Sequence, residues 1–239
     1  MSMKKALVAA AMVMTALSLA NSAEVSYKAA DGVTVYADYV AARGQSRGLI
    51  ALFHQANGSR LEYEKIAPKL NQMGFSTLAV DQRSGGSQFG GINKTAAQVK
   101  PGDYLSALPD LEASVRYAKN TLKAKRILIW GSSYSSALVF LLAAKNKDVS
   151  AVLSFSPDEY LAQKGSVATA AKQVRVPVFI TSTSSEVAAA KQVFSAVGSD
   201  DKTQFIPQGI GLHGSSVLSN PLMAGEYWVA VEQFLMRFK

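Results

Sequence analysis

The sequence predicts an α/β fold, a mostly parallel sheet with helices on both faces. Three observations predict it. Short runs such as Gly-Leu-Ile-Ala-Leu-Phe at 48–53 and Phe-Ser-Thr-Leu-Ala-Val at 75–80 are almost continuously apolar, as strands buried on both faces must be. Stretches with the 3.6-residue spacing of a helix separate those runs. Turn chemistry falls between the two kinds of segment, so the chain reads as strand–helix units that favour parallel pairing.

Taken in order, 25–28 and 33–39 alternate apolar and polar residues around Asp31-Gly32, the pattern of an antiparallel hairpin. Strand 48–53 follows. A helix is expected over 63–73, with Ile66, Leu70 and Met73 on one face and Gly74 ending it. After strand 75–80 comes a Gly- and Ser-rich passage over 84–103, then a helix over 104–122. Strand 127–130 leads into an apolar helix over 134–145. Strands 149–155 and 176–181 flank a polar excursion at 157–175. A helix at 187–197, a short strand at 203–206 and a closing amphipathic helix at 222–238 complete the chain. No repeat or composition break divides it, so 24–239 reads as a single domain.

The 239 residues, 49% hydrophobic and 18% charged, suffice for one well-buried core and exclude disorder, collagen and coiled coil. The N-terminus reads as a secretory signal peptide over 1–23. Lys4 and Lys5 precede an uncharged apolar run from Ala6 to Ala20, and small residues follow to Ala23. Cleavage after Ala23, or alternatively after Ala20, would release the protein without a stable membrane anchor. With no cysteine for lipidation or disulfides, the periplasm of a bacterium is the expected compartment. The net charge of +8 would fall to +6 with the loss of Lys4 and Lys5. Its one basic cluster, Lys119, Lys123, Lys125 and Arg126, sits at a helix end where cations suit the dipole, so no nucleic-acid partner is expected. No phosphate loop, metal-ligand spacing or dinucleotide fingerprint is present, and neither a cofactor nor a metal is expected.

Chemistry concentrates at Ile127-Leu-Ile-Trp-Gly-Ser-Ser133-Tyr-Ser-Ser-Ala-Leu-Val. A serine on a strained strand-to-helix turn exposes its oxygen and aims the following amides at a reacting carbonyl. Strand and helix touch there, so the residues two before and two after the serine must be small. Gly131 and Ser135 meet that condition for Ser133. Trp130 and Tyr134 exclude Ser132, Tyr134 and Leu138 exclude Ser136, and Ser135 lies too far from the strand end. The competing interpretation is an ordinary helix N-cap serine. A nucleophilic serine needs a base, and the chain has two histidines, His54 at the end of a buried strand and His213 in a late loop.

Nearly the whole of 24–239 resembles the α/β-hydrolases, and is most similar to the dienelactone-hydrolase-like branch of small serine esterases. Leu52-Phe-His54-Gln55, Asp81-Gln-Arg-Ser-Gly-Gly86, Gly131-Ser-Ser133-Tyr-Ser135 and Leu212-His213-Gly214 carry the resemblance. It implies a central sheet of about eight strands and hydrolysis of a small carboxylic ester or lactone. The family's order of nucleophile, acid and base selects Ser133 as nucleophile and His213 as base. The acid should follow strand 176–181, where this chain offers Glu186 in place of the usual Asp; Asp158 is the fallback. Backbone N–H groups of Gln55 and Tyr134 are the implied oxyanion-hole donors. His54 and Arg83 are the pocket-lining candidates, although His54 reads equally as a structural histidine and Asp81 as a partner for Arg83. Two departures stand out: dienelactone hydrolases proper use a cysteine, absent here, and the usual glycine two after the nucleophile is Ser135. A thioesterase or acyltransferase with the same triad, or a descendant that only binds a ligand, are the alternatives.

Overall fold

The computed structural model describes residues 22–239. The expected signal peptide falls almost wholly outside them. Eight strands form one sheet in the order β1-β2-β4-β3-β5-β6-β7-β8. Strands β1 (Ala23–Lys28) and β2 (Thr34–Val40) make the expected hairpin, and β2 runs antiparallel to β4 (Phe75–Val80). From there the sheet is parallel, through β3 (Gly48–Phe53), β5 (Ile127–Ser132), β6 (Val149–Phe155), β7 (Val178–Thr181) and β8 (Lys202–Phe205).

The period of two in each strand builds two cores. In β3, Leu49, Ala51 and Phe53 face helices α2 (Leu108–Asn120), α3 (Tyr134–Lys145), α4 (Ser166–Ala171) and α5 (Val187–Ala196). Ile50 and Leu52 face α1 (Ala67–Gln72) and α6 (Ala224–Leu235). Aromatic rings dominate that second core, where Trp130 stacks on Phe155 at 4.6 Å and Phe179 bridges Phe155 to Phe234. Both faces being covered is why the central strands are apolar throughout.

Several boundaries differ from expectation. The helix expected over 63–73 is a 3-10 turn, Arg60–Tyr63, followed by α1, which begins next to Pro68. Likewise 104–122 splits into a 3-10 turn, Tyr104–Ala107, and α2, with Pro109 in its first turn. Proline suits a first helical turn because its missing N–H would have no partner there. The polar excursion hides α4, and the loop after His213 contains a 3-10 turn, Ser215–Ser219. Among the described residues no helix is long and apolar enough to cross a membrane.

Candidate active site

In a parallel sheet the loops leaving the carboxyl ends of neighbouring strands converge, and side chains far apart in sequence meet there. Six such loops matter here, after β3, β4, β5, β6, β7 and β8.

Ser133 joins β5 directly to α3. Its backbone sits at φ 56° and ψ −125°, a region that a residue with a Cβ rarely occupies. The surroundings hold it there: its N–H donates to Phe155 O at 2.9 Å, and its carbonyl accepts from Ser136 N–H at 2.8 Å. The need for glycine at 131 is steric, since a Cβ there would lie 2.2 Å from Ser135 O. Ser135 does more than stay small. Its hydroxyl donates to His54 O at 2.6 Å and accepts from Gln82 Nε2 at 2.8 Å, tying α3 to the loops after β3 and β4.

His213 and Glu186 meet. Glu186 Oε1 lies 2.5 Å from His213 Nδ1, at the start of α5 and in the loop after β8 respectively. That bond, opposed by partial burial, raises the His213 pKa above its ordinary value. Burial pushes the Glu186 carboxyl up, but the hydrogen bonds from His213 and then Ser156 outweigh it and hold the pKa below the usual range. Ionised Glu186 facing Nδ1–H leaves Nε2 as the proton-accepting nitrogen. Asp158, the fallback acid, is exposed, and its carboxylate accepts from Glu159 N–H instead of reaching His213.

Ser156, which sequence reasoning missed, stands at φ 57° after β6 and accepts from Gly214 N–H at 2.9 Å. It therefore fixes the histidine loop from below. The Tyr160 hydroxyl donates to Ser156 O at 2.9 Å, and burial keeps that phenol protonated beside Ser133. Nothing local in Phe155-Ser-Pro signals these roles; they arise from strand β6 ending between β5 and β7.

Three expectations are corrected. Gln55 N–H is not free for an oxyanion, because it donates to Glu62 Oε2 at 2.8 Å. The next amide, Ala56 N–H, and Tyr134 N–H have no hydrogen-bond partner among the described residues. His54 does not line a pocket. It is fully buried, with Nδ1 2.8 Å from Gln55 O and Nε2 accepting from Gln82 N–H and Asn93 Nδ2. Those partners define a neutral imidazole with the proton on Nδ1, and burial brings its pKa down to about 4. Arg83 also turns away from the site. Its guanidinium grips Asp110 at 2.7 Å and reaches Asp31, while Asp81 accepts backbone N–H groups of Arg60 and Lys94.

Glu62, likewise missed, is buried beneath the site and accepts from Ser132 Oγ at 2.7 Å. It sits in a 3-10 turn just before the helix expected over 63–73, where a glutamate attracts no notice. Among the described residues no cluster of three or more His, Cys, Asp or Glu could hold a metal.

A family model described as the alpha/beta hydrolase fold matches residues 48–234. No curated protein matches the sequence. Solved structures that it resembles include a Pyrococcus furiosus esterase, at 17% identity and TM-score 0.74 over 91% of this chain and 93% of that one. A dienelactone hydrolase from Anabaena variabilis is 15% identical with TM-score 0.72, over 91% and 98% of the two chains. A cold-adapted esterase from an Arctic intertidal metagenomic library is 19% identical with TM-score 0.70, over 90% and 93%. At such identities the structural likeness speaks for the fold alone, but the match of the family model spans most of the chain: this protein belongs to the α/β-hydrolase fold family.

Proposed function

We propose that this protein is a serine hydrolase that cleaves a carboxylic ester of a small substrate. The observation that carries the reading is the 2.5 Å contact of Glu186 with His213 Nδ1, in a chain whose strained turn presents Ser133. It supports the reading because Glu186 follows β7, where the resemblance expects the acid, and its pKa is held below the usual range.

In the proposed reaction His213 Nε2 takes the proton of Ser133 Oγ as that oxygen attacks the ester carbonyl. Glu186 holds the tautomer and stabilises the imidazolium. Ala56 N–H and Tyr134 N–H, both without partners among the described residues, are the donors for the oxyanion, with Ala56 replacing the expected Gln55. The imidazolium then protonates the leaving alcohol, and water, activated by the same histidine, releases the acid. Tyr104 stacks on Tyr134 at 4.5 Å, and Leu212 beside His213 is exposed, so the rim offers apolar surface to an acyl or alcohol group.

The test is hydrolysis of p-nitrophenyl esters from acetate to octanoate by wild type and Ser133→Ala, with fluorophosphonate labelling in parallel. The reading expects wild-type turnover and labelling, both lost in the variant. A well-folded wild type that neither turns over nor labels would leave only a ligand-binding role. Export is proposed on the N-terminal pattern alone. Mass spectrometry of periplasmic protein should find a mature N-terminus near Glu24, and an intact Met1 there would refute cleavage.

A further inference from the structure

Three buried carboxylates lie close to the functional loops, and two of them have a cation nearby. Asp110 pairs with Arg83, and Asp81 has Arg60 Nη1 at 3.7 Å. Glu62, 3% exposed, has no lysine or arginine within ion-pair distance among the described residues. Burying a carboxylate without a cation is costly, and a residue retained at that cost has a role to be sought.

Its contacts show where that role lies. Oε2 accepts from Gln55 N–H, one residue before Ala56. Oε1 accepts from Ser132 Oγ, one residue before Ser133. Ser132 Oγ in turn accepts from Ser215 N–H at 2.8 Å, two residues after His213, and Ser215 Oγ accepts from Trp130 Nε1. The histidine loop is pressed onto this chain of bonds: a Cβ on Gly214 would lie 2.5 Å from Ser132 Oγ and 3.2 Å from Gln55 Oε1. One carboxylate thus links the oxyanion loop, the nucleophile's strand and the base's loop.

We propose that Glu62 is a positioning residue of the catalytic centre, its proton occupancy setting the direction of the Ser132 hydrogen bond and through it the seating of the Ala56 and His213 loops around Ser133. The proposal rests on the hydrolytic reading above. As a carboxylate, Glu62 accepts from both partners with no conflict. Once protonated, it must turn its O–H towards Ser132 Oγ, which already accepts from Ser215 N–H, and the Ser132 proton must find another acceptor.

The change falls within a working pH range. Burial, only partly offset by the bonds from Ser132 and Gln55, pushes the Glu62 pKa up to about 7. The groups facing it are few. From the loop after β8, His213 interacts electrostatically with it, and each favours the charged form of the other. Tyr63 on its own turn and Tyr134 on α3 stay protonated, burial being the main cause. On the far side Glu62 borders a cleft of about 230 Å³, lined also by Leu61, Glu64, Lys65, Phe89, Ser216 and Ser219.

With only two histidines, one buried and neutral, the His213 ring can be followed by NMR without ambiguity. The wild-type His213 Cε1–H shift should titrate with two inflections between pH 5 and 9, one its own and one from Glu62. Glu62→Gln should leave one inflection, moved to lower pH, and reduce kcat for p-nitrophenyl acetate roughly 10- to 100-fold with little change in KM, the scale of a small misplacement. Should Glu62→Gln not fold, Ser132→Ala serves: it removes a donor from the carboxylate and should move the second inflection to higher pH. Superimposable titrations and kcat profiles in a wild type and variant that both label at Ser133 would overturn the proposal alone. A wild type that neither turns over the ester nor labels would remove the hydrolytic reading, and the catalytic role of Glu62 with it.

Discussion

Glu186 and His213 illustrate how a residue's neighbours decide its chemistry. In sequence Glu186 is a first-turn helix glutamate, and in space it is the partner of an imidazole. Its hydrogen bond is the main reason why the His213 pKa is raised. The sign of the pH effect follows. In the proposed reaction His213 has to be neutral to take the Ser133 proton, so kcat/KM should fall as pH drops through a pKa above the ordinary value of 6.5. Glu186→Gln removes the raising effect, so this acid limb should move to lower pH. The plateau kcat should drop by ~10² to 10⁴, as lost orientation of a triad histidine can cost. A pH–rate profile of both proteins checks both points, and Asp158→Asn, whose carboxylate does not reach His213, should leave them unchanged.

The turn from β5 into α3 shows an element whose geometry rests on one missing atom. Because β5 and α3 pass in contact at Gly131, any side chain there must push them apart. Gly131→Ala should cost about 1–3 kcal/mol, as overpacking does. For a chain of this size that lowers the melting temperature by roughly 2–4 °C per kcal/mol. Activity should be lost even in the protein that stays folded, because the displaced turn no longer aims Ser133 and Tyr134 N–H together. An unchanged melting temperature and unchanged kcat would show that the turn has room to spare. Ser135 adds a second constraint on the same element, since its hydroxyl is bonded on both sides.

Across the whole molecule, long-range polar ties carry the loops that the parallel sheet assembles. Arg83 connects Asp31 in the β1–β2 turn with Asp110, fully buried on α2, 27 residues away in sequence. Arg83→Met would leave Asp110 buried without its cation, at a cost of about 3–5 kcal/mol. Chemical denaturation should register that loss, while KM for a p-nitrophenyl ester should stay near wild type in the folded fraction. A large rise in KM at unchanged stability would instead return Arg83 to the substrate pocket. His54 belongs to the same framework, since its two ring nitrogens connect the loops after β3 and β4.

The sequence by itself determined the strands, through their period of two and their double-faced apolarity, and so the parallel sheet and its two cores. It also determined that Ser133 stands on the strand-to-helix turn, because the sterics of that turn act between residues only two apart. His213 and Glu186 were legible in a weaker sense, as the remaining histidine and the one carboxylate in a loop to which family resemblance pointed. Tertiary structure alone decided the rest. Glu62 meets Ser132 across 70 residues, Gly214 meets Ser156 across 58, and Arg83 chooses Asp110 over the nearer Asp81. Periodicity sets which face of an element is buried, but a hydrogen bond or ion pair depends on positions to within a fraction of an ångström. Those positions come from how the sheet orders its strands and where each loop comes to rest.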